Sequence, residues 1–160
     1  MGKTTIATGL ARQIGAVHLH IDAIEQAIRY SGVVPPSQND AGYRAAYRVA
    51  YAIAAENLRL GRTVIADCVN PIAQSRDAWV QVAKSAGVLA IEVEIVCSDA
   101  AEHQRRLEAG TTTDEDQPPR WQQVTRNYQT WDRPRVVIDT AHQDVGLAVE
   151  LIRRALAMEP

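Results

Sequence analysis

The first residues of the chain, Gly2-Lys3-Thr4-Thr5, have the types and order that bind phosphate groups. In a P-loop, backbone N–H groups at the beginning of a helix point at the phosphate oxygens of a nucleotide. The lysine, here Lys3, reaches the β and γ oxygens, and the next hydroxyl, here that of Thr4, binds Mg²⁺. The full pattern also needs another glycine and four loop residues before Gly2.

The residues after this motif predict the helix that a P-loop requires. Ile6, Leu10 and Ile14 recur at i, i+4 and i+8, and Gly15 can end the helix. A buried strand normally precedes such a loop. We therefore expect that this strand and the first half of the loop are encoded upstream of Met1, and that ATP binds weakly without them.

A first candidate carboxylate, Asp22, lies between a predicted strand over 17–21 and a predicted helix over 23–30. It could form a capping box with Glu25, in which case it only satisfies helix N–H groups. At the carboxyl end of a strand beside a phosphate site, it could also accept the proton of an attacking hydroxyl. The residues leave both interpretations open.

A second carboxylate, Asp67, closes the apolar run 63–67, which is typical of a buried parallel strand. Its position predicts that Asp67 holds Mg²⁺ together with the Thr4 hydroxyl. The alternative is a turn aspartate that starts the loop over 68–71.

Two sets of ring side chains allow both a structural and a functional interpretation. His18 and His20 share one strand face and could be a metal pair, but no third ligand is near in sequence, which favours core or interface histidines. Tyr43, Tyr47 and Tyr51 at i, i+4 and i+8 predict a half-buried packing face. The wall of a substrate pocket is the alternative.

A polar segment with Gly110 and Pro118-Pro119 follows the adjacent arginines Arg105 and Arg106. Such arginines are usually solvated charge. In a phosphoryl-transfer enzyme, a lid over about 105–127 would bring them onto the γ-phosphate.

The other predicted elements alternate between helices and strands. They are a helix from Asn39 or Asp40 to Leu60 with an apolar stripe of Ala46, Val49, Ile53 and Leu60, a helix ending near Ala86, a strand over 88–96, a helix over 99–109 capped by Ser98, a helix over 120–131, a strand over 135–140 and a helix over 144–158. This order predicts one α/β domain over residues 1–160, with right-handed crossovers in a doubly wound parallel sheet that lacks its N-terminal strand.

Composition restricts the partners of the chain. Its 160 residues carry a formal net charge of -2, which argues against holding duplex DNA or a membrane by bulk charge. The two cysteines, without a signal peptide before them, predict reduced thiols in a cytoplasmic protein. A small acceptor is favoured, and the oligomeric state is not indicated.

These motifs together resemble the P-loop kinase family that includes polynucleotide kinase, zeta toxin, chloramphenicol phosphotransferase and adenylylsulfate kinase, in the broad group of AAA-type ATP-binding kinase-like proteins. The resemblance covers the whole chain. It implies that Asp22 activates the substrate, that Arg76 lies on the substrate side, that residues 97–106 enter the lid, and that Thr140 lies beside the adenine.

The resemblance and the motifs predict an ATP- and Mg²⁺-dependent kinase that transfers the γ-phosphoryl group to a hydroxyl of a small molecule or nucleotide. In this interpretation Lys3, Asp22 and Arg106 are catalytic, and Gly2, Thr5 and Arg105 also contact the nucleotide. A 5′-hydroxyl polynucleotide kinase is one alternative. A nucleotide-binding or interaction module without turnover is the other, because the P-loop is incomplete.

Overall fold

The structure is a computed structural model that describes residues 2–35, 39–102, 105 and 128–158. Its helices and strands are α1 (Lys3–Ile14), β1 (Val17–His20), α2 (Ile21–Tyr30), α3 (Asn39–Arg59), β2 (Val64–Asp67), α4 (Ala73–Ser85), β3 (Val93–Val96), β4 (Val136–Asp139) and α5 (Val145–Met158). Residues 100–102 are also helical. This alternation confirms the predicted α/β class.

The strands of the described residues form two parallel pairs. β1 pairs with β2, with His20 opposite Asp67, and β3 pairs with β4, with Val96 opposite Asp139. Parallel neighbours need a crossover connection, and α2 and α3 supply it between β1 and β2.

The chain divides into two compact units. Unit 1 comprises Met1–Gly9, Val69–Arg76 and Ile91–Pro160, and unit 2 comprises Leu10–Cys68 and Asp77–Ala90. The single domain with a lid over about 105–127 stays a prediction, and nearly all of that lid lies outside the described residues.

Unit 2 has its core on one face of the β1–β2 pair. Side chains alternate between the two faces of a strand, so Leu19 enters the core while His18 and His20 lie on the other face. The buried members of this core are Leu19, Ile21, Ala46, Tyr47, Ala50, Ala54 and Cys68.

The buried face of α3 differs from the predicted stripe. Ala46 is buried as expected, but Val49, Ile53 and Leu60 are exposed. The helix instead buries its alanines and Tyr47. Alanine lets the helix approach its neighbours closely, and each tyrosine ring buries more apolar area than a branched aliphatic side chain.

The tyrosine row of α3 is a packing face. Tyr47 and Tyr51 form edge contacts, and the ring of Tyr51 lies 4.5 Å from that of Trp79. Burial raises the pKa of Tyr51 to about 12 and also raises the pKa of Tyr43, although the hydrogen bond between the Tyr43 and Tyr47 hydroxyls opposes the latter rise. Both phenols therefore stay protonated near neutral pH.

Unit 1 packs α5 against β4. Ile138 of β4 and Val149 of α5 are buried. A side chain at Gly9 would meet Val149 Cγ2 at 3.4 Å and Val145 Cγ1 at 3.7 Å, so the small residue permits the close approach of α1 and α5.

Several predicted boundaries are wrong. β3 begins at Val93 rather than at residue 88, because the Val88 N–H bonds to the Ala83 carbonyl in the turn that closes α4 and not to a neighbouring strand. The helix predicted over 99–109 is capped by Asp99, whose carboxylate accepts the Glu102 N–H, rather than by Ser98. The helix predicted over 120–131 is absent over 128–131, and residues 120–127 lie outside the described residues.

The α3 packing leads to a stability test. Tyr47, 6% exposed, contacts Tyr43, Tyr51 and Trp79, so Tyr47→Ala should lower the free energy of unfolding by about 3–5 kcal/mol. Ile53, 40% exposed, is the matched control, and Ile53→Ala should change it by no more than about 0.5 kcal/mol. Urea denaturation measures both. Equal losses would contradict the observed orientation of α3.

Candidate functional site

The phosphate-binding candidates lie at the beginning of α1. Helix α1 starts at Lys3, and the Gly2 carbonyl accepts the N–H groups of Thr5 and Ile6 at 3.1 and 3.3 Å. The N–H groups of Lys3 and Thr4 lie at positions that have no acceptor within the helix. No heavy atom lies within 4 Å of where a Gly2 side chain would be. These donors fit the phosphate groups of a nucleotide.

The carboxyl end of the β1–β2 pair groups acidic and imidazole side chains in unit 2. His18 Nε2 and Asp67 Oδ2 form a hydrogen bond of 3.2 Å, and the Asp67 side chain is 0% exposed. His20 Nε2 lies 3.9 Å from the same Asp67 oxygen and 3.6 Å from Asp22 Oδ2. Sequence spacing placed the two histidines on one face, but it did not pair them with Asp67.

Asp22 is the second residue of α2, and its side chain is 61% exposed. The capping-box interpretation is wrong, because the N-cap residue is His20 and makes no side-chain capping bond. Glu25 is instead buried and pairs with Arg29 at 3.1 Å. An acidic residue in the first turn still complements the helix dipole, and its exposure leaves Asp22 accessible to a substrate.

The described residues contain no group of three or more His, Cys, Asp or Glu side chains arranged to hold a metal ion. Thr4 and Asp67 offer hydroxyl and carboxylate oxygens, the ligand types that Mg²⁺ prefers, so their chemistry fits that ion. Their shared role stays a prediction.

Arg76 is buried in unit 1, with 2% of its surface exposed. Its guanidinium donates to the carbonyls of Gln129 at 2.9 Å and Thr130 at 3.4 Å, and lies 4.6 Å from the centre of the Trp131 ring. These are the contacts of a residue that fixes a chain segment. The substrate-binding role of Arg76 stays a prediction.

Residues 128–131 are held at the N-terminus of α4, which sequence patterns did not reveal. The side-chain oxygen of Gln129 accepts the Ala73 N–H at 2.7 Å, and the Gln129 N–H donates to the Pro71 carbonyl at 2.8 Å. Trp131 Nε1 donates to the Tyr128 hydroxyl at 2.7 Å. The two bonds of Gln129 join residues that are more than 50 positions apart in sequence, so no local signal could have shown them.

The carboxyl ends of β3 and β4 are joined through Asp139 and Thr140. The Asp139 carboxylate accepts the N–H groups of Ser98 and Ala141, each at 3.0 Å. Hydrogen bonds from the side chain and backbone of Ser98, and from the Ala141 N–H, lower the pKa of Asp139 to about 2. The Thr140 hydroxyl donates to the Val96 carbonyl at 3.0 Å. The position of Thr140 beside the adenine of a bound nucleotide stays a prediction.

Of the two arginines at the start of the predicted lid, Arg105 is among the described residues. Arg105 is 70% exposed and pairs with Glu102 at 2.7 Å, one turn before it. Arg106 lies outside the described residues. An exposed pair of this kind contributes little to stability.

The comparisons with known proteins agree on the fold. A family model described as AAA domain (AAA_33) matches residues 1–134. Among solved structures, a "putative kinase" from Chloroflexus aurantiacus has a TM-score of 0.70 at 18% identity, covering 98% of this chain and 90% of that one. An unliganded sugar kinase from Janibacter sp. has a TM-score of 0.60 at 18% identity, covering 96% and 85%.

The search of curated proteins gave no match. In the part of the chain that the structure describes, no helix is long and apolar enough to cross a membrane. The family model and the likeness to the two solved structures together show a P-loop kinase-like fold, and at 18% identity the solved structures show nothing finer.

The contacts of Arg76 allow its structural and substrate-binding roles to be separated. Arg76→Lys removes the planar fork and the stacking on Trp131, and should lower the free energy of unfolding by about 2–4 kcal/mol. The exposed Arg48, changed to Lys, is the control. Thermal and urea denaturation measure the loss. A variant of unchanged stability with impaired acceptor binding would show a substrate role instead.

Asp139 predicts a pH dependence of stability. Its folded-state pKa of about 2 lies below the ordinary value of 3.8, so its stabilising contribution is present above about pH 4 and is lost as the pH falls towards 2. The Tm difference between wild type and Asp139→Asn should therefore shrink over that interval. Asp132→Asn, at an exposed position, should show no such change. A constant difference for Asp139→Asn would refute the assignment.

Proposed function

Since the chain belongs to the AAA domain family, we propose that it is an ATP-dependent kinase that transfers the γ-phosphoryl group to a hydroxyl of a small molecule or nucleotide. The observation that carries this proposal is the placement of Gly2-Lys3-Thr4-Thr5 at the very beginning of α1. Charge in a phosphoryl-transfer transition state spreads over the phosphate oxygens, and donors fixed before the reaction stabilise it most.

The proposed phosphate contacts come from α1. The N–H groups of the first helical turn and the Lys3 ammonium would bind the β- and γ-phosphate oxygens, and the helix dipole favours their negative charge. Thr4 and Asp67 would hold Mg²⁺, which supplies charge neutralisation to the phosphates when bound.

The acceptor side of the reaction is proposed for Asp22. Its exposed carboxylate lies in the first turn of α2, directly after β1. There it would bind the acceptor hydroxyl, orient it and take its proton during attack. In the structure, His20 Nε2 lies 3.6 Å from Asp22 Oδ2.

Four further contacts complete the proposal. Arg105 or Arg106 would bind the γ-phosphate from the lid, and the exposure of Arg105 leaves its guanidinium accessible for this. Arg76 would face the acceptor, although its observed donors already bond to backbone carbonyls. Thr140 would lie beside the adenine.

The free cysteines Cys68 and Cys97 are consistent with the cytoplasmic location that we propose.

The sugar kinase among the similar structures supports a small polyhydroxylated acceptor over a polynucleotide end. The net charge of -2 supports the same choice, since a groove that follows a nucleic acid backbone needs basic residues. A module that binds nucleotide without turnover is the second candidate.

The test combines a screen with one variant. The chain should transfer phosphate from Mg·ATP to a member of a panel of sugars, amino alcohols, nucleosides and 5′-hydroxyl oligonucleotides, measured with radiolabelled ATP. Asp22→Asn should lower kcat by about 10²–10⁴-fold, as expected for a lost general base, without changing ATP affinity. Asp77→Asn, on the exposed side of α4, is the control.

One result would decide against the kinase proposal, and another would decide only against the role of Asp22. Nucleotide binding without transfer to any acceptor would favour the module without turnover. An unchanged kcat in Asp22→Asn would remove Asp22 from the reaction while leaving the kinase proposal intact.

A further inference from the structure

We propose that His18 is a positioning residue that holds the Asp67 carboxylate in one orientation through a hydrogen bond from its Nε2–H. The inference rests on the proposed function, because a fixed Asp67 matters for activity only if Asp67 holds Mg²⁺. The sequence spacing placed His18 on one strand face with His20, but it did not indicate the contact with Asp67.

The hydrogen bond joins a fully buried acceptor to a mostly buried donor. His18 Nε2 lies 3.2 Å from Asp67 Oδ2, and the two side chains are 21% and 0% exposed. A buried carboxylate is stabilised by each hydrogen bond that it accepts, so removal of this donor should change both the energy and the freedom of Asp67.

The backbone holds both partners in place. His18 and Asp67 lie on adjacent parallel strands. In the register of these strands, Val17 lies opposite Val64 and His20 lies opposite Asp67. Between the two histidines, Leu19 points to the opposite face and is buried in the core of unit 2. A rotation of β1 that moved His18 away from Asp67 would expose Leu19, so the packing of one face maintains the hydrogen bond on the other.

His20 provides a built-in comparison. Its ring stacks on that of His18, with ring centres 6.0 Å apart and planes inclined by 12°. Its Nε2 lies 3.9 Å from Asp67 Oδ2, which is beyond hydrogen-bonding distance. His20 therefore packs beside His18 without orienting Asp67, and its substitution should affect Asp67 less.

The hydrogen bond also determines the tautomer of His18. With Nε2–H donating to Asp67, the neutral ring carries its lone pair on Nδ1. Carboxylates that bind metal ions are commonly held by such outer partners, and loss of a partner typically costs 10–100-fold in metal affinity or activity.

The first experiment measures nucleotide affinity with Mg²⁺ and with EDTA in wild type, His18→Leu, His18→Gln and His20→Gln. His18→Leu should raise the Mg²⁺ concentration for half-maximal nucleotide binding by about 10–100-fold and leave the affinity in EDTA unchanged. His18→Gln should retain most of the wild-type Mg²⁺ dependence, because its Nε2 can donate from a similar position. His20→Gln should change the Mg²⁺ concentration for half-maximal nucleotide binding less than His18→Leu does.

The second experiment uses the metal-free chain and no activity. Long-range ¹⁵N NMR should show His18 as the Nε2–H tautomer, and Asp67→Asn should shift its Nε2 resonance while leaving that of the exposed His142 unchanged. A His18 ring protonated on Nδ1 alone would overturn the proposal. So would an unchanged Mg²⁺ dependence in His18→Leu, or an equal loss of affinity with and without Mg²⁺.

Failure of the proposed function has a different signature. A wild-type chain that binds nucleotide equally well with Mg²⁺ and with EDTA would remove the role of Asp67 and with it the functional value of His18. The tautomer measurement would still decide whether His18 holds Asp67.

Discussion

The parallel pairing of β1 with β2 is the constraint on which unit 2 depends. Because side chains alternate along a strand, a register that buries Leu19 on one face must place His18 and His20 on the other. The same pairing brings Asp67 opposite His20. A slip of one residue would exchange the two faces, exposing the core and burying two imidazoles. The polar cluster and the apolar core are therefore two consequences of one register.

Buried charge in unit 1 is arranged differently. Arg76 is a buried cation that bonds to backbone carbonyls and an aromatic face rather than to a carboxylate. Carbonyl oxygens satisfy its donors, and Trp131 covers the guanidinium plane. The guanidinium of Arg135 lies 5.5 Å from the centre of the same ring, and Arg135 pairs with Glu94 at 2.5 Å. Residues 128–131 are thus held by side chains, without regular secondary structure.

Asp22 and Asp67, the two candidate carboxylates, differ in their exposure to solvent. Asp22 and Asp67 look alike in sequence, since each ends a strand-like run. In the fold one is exposed on the first turn of a helix and the other is fully buried. An exposed carboxylate can meet an incoming hydroxyl, whereas a buried one held by His18 is suited to a fixed ligand. Their different surroundings support different proposed roles.

The sequence by itself determined the local features of this protein. The start of α1 could be predicted, and Gly15 could be placed at its end, because Gly15 adopts a positive φ that other residues disfavour. The ends of β2 and β4 at Asp67 and near Thr140 could also be predicted within a residue. Helix caps, glycine conformations and short apolar runs depend on neighbours within a few residues.

Only the tertiary structure decided which side chains meet. The helical period of α3 allowed either the aliphatic stripe or the tyrosine row to face inward, and packing against α2 and the β1–β2 pair selected Tyr47 over Ile53. The bond from His18 to Asp67 and that from Arg76 to Gln129 join residues 49 and 53 positions apart. Contacts at such separations depend on strand register and chain path, which no local pattern of residues specifies.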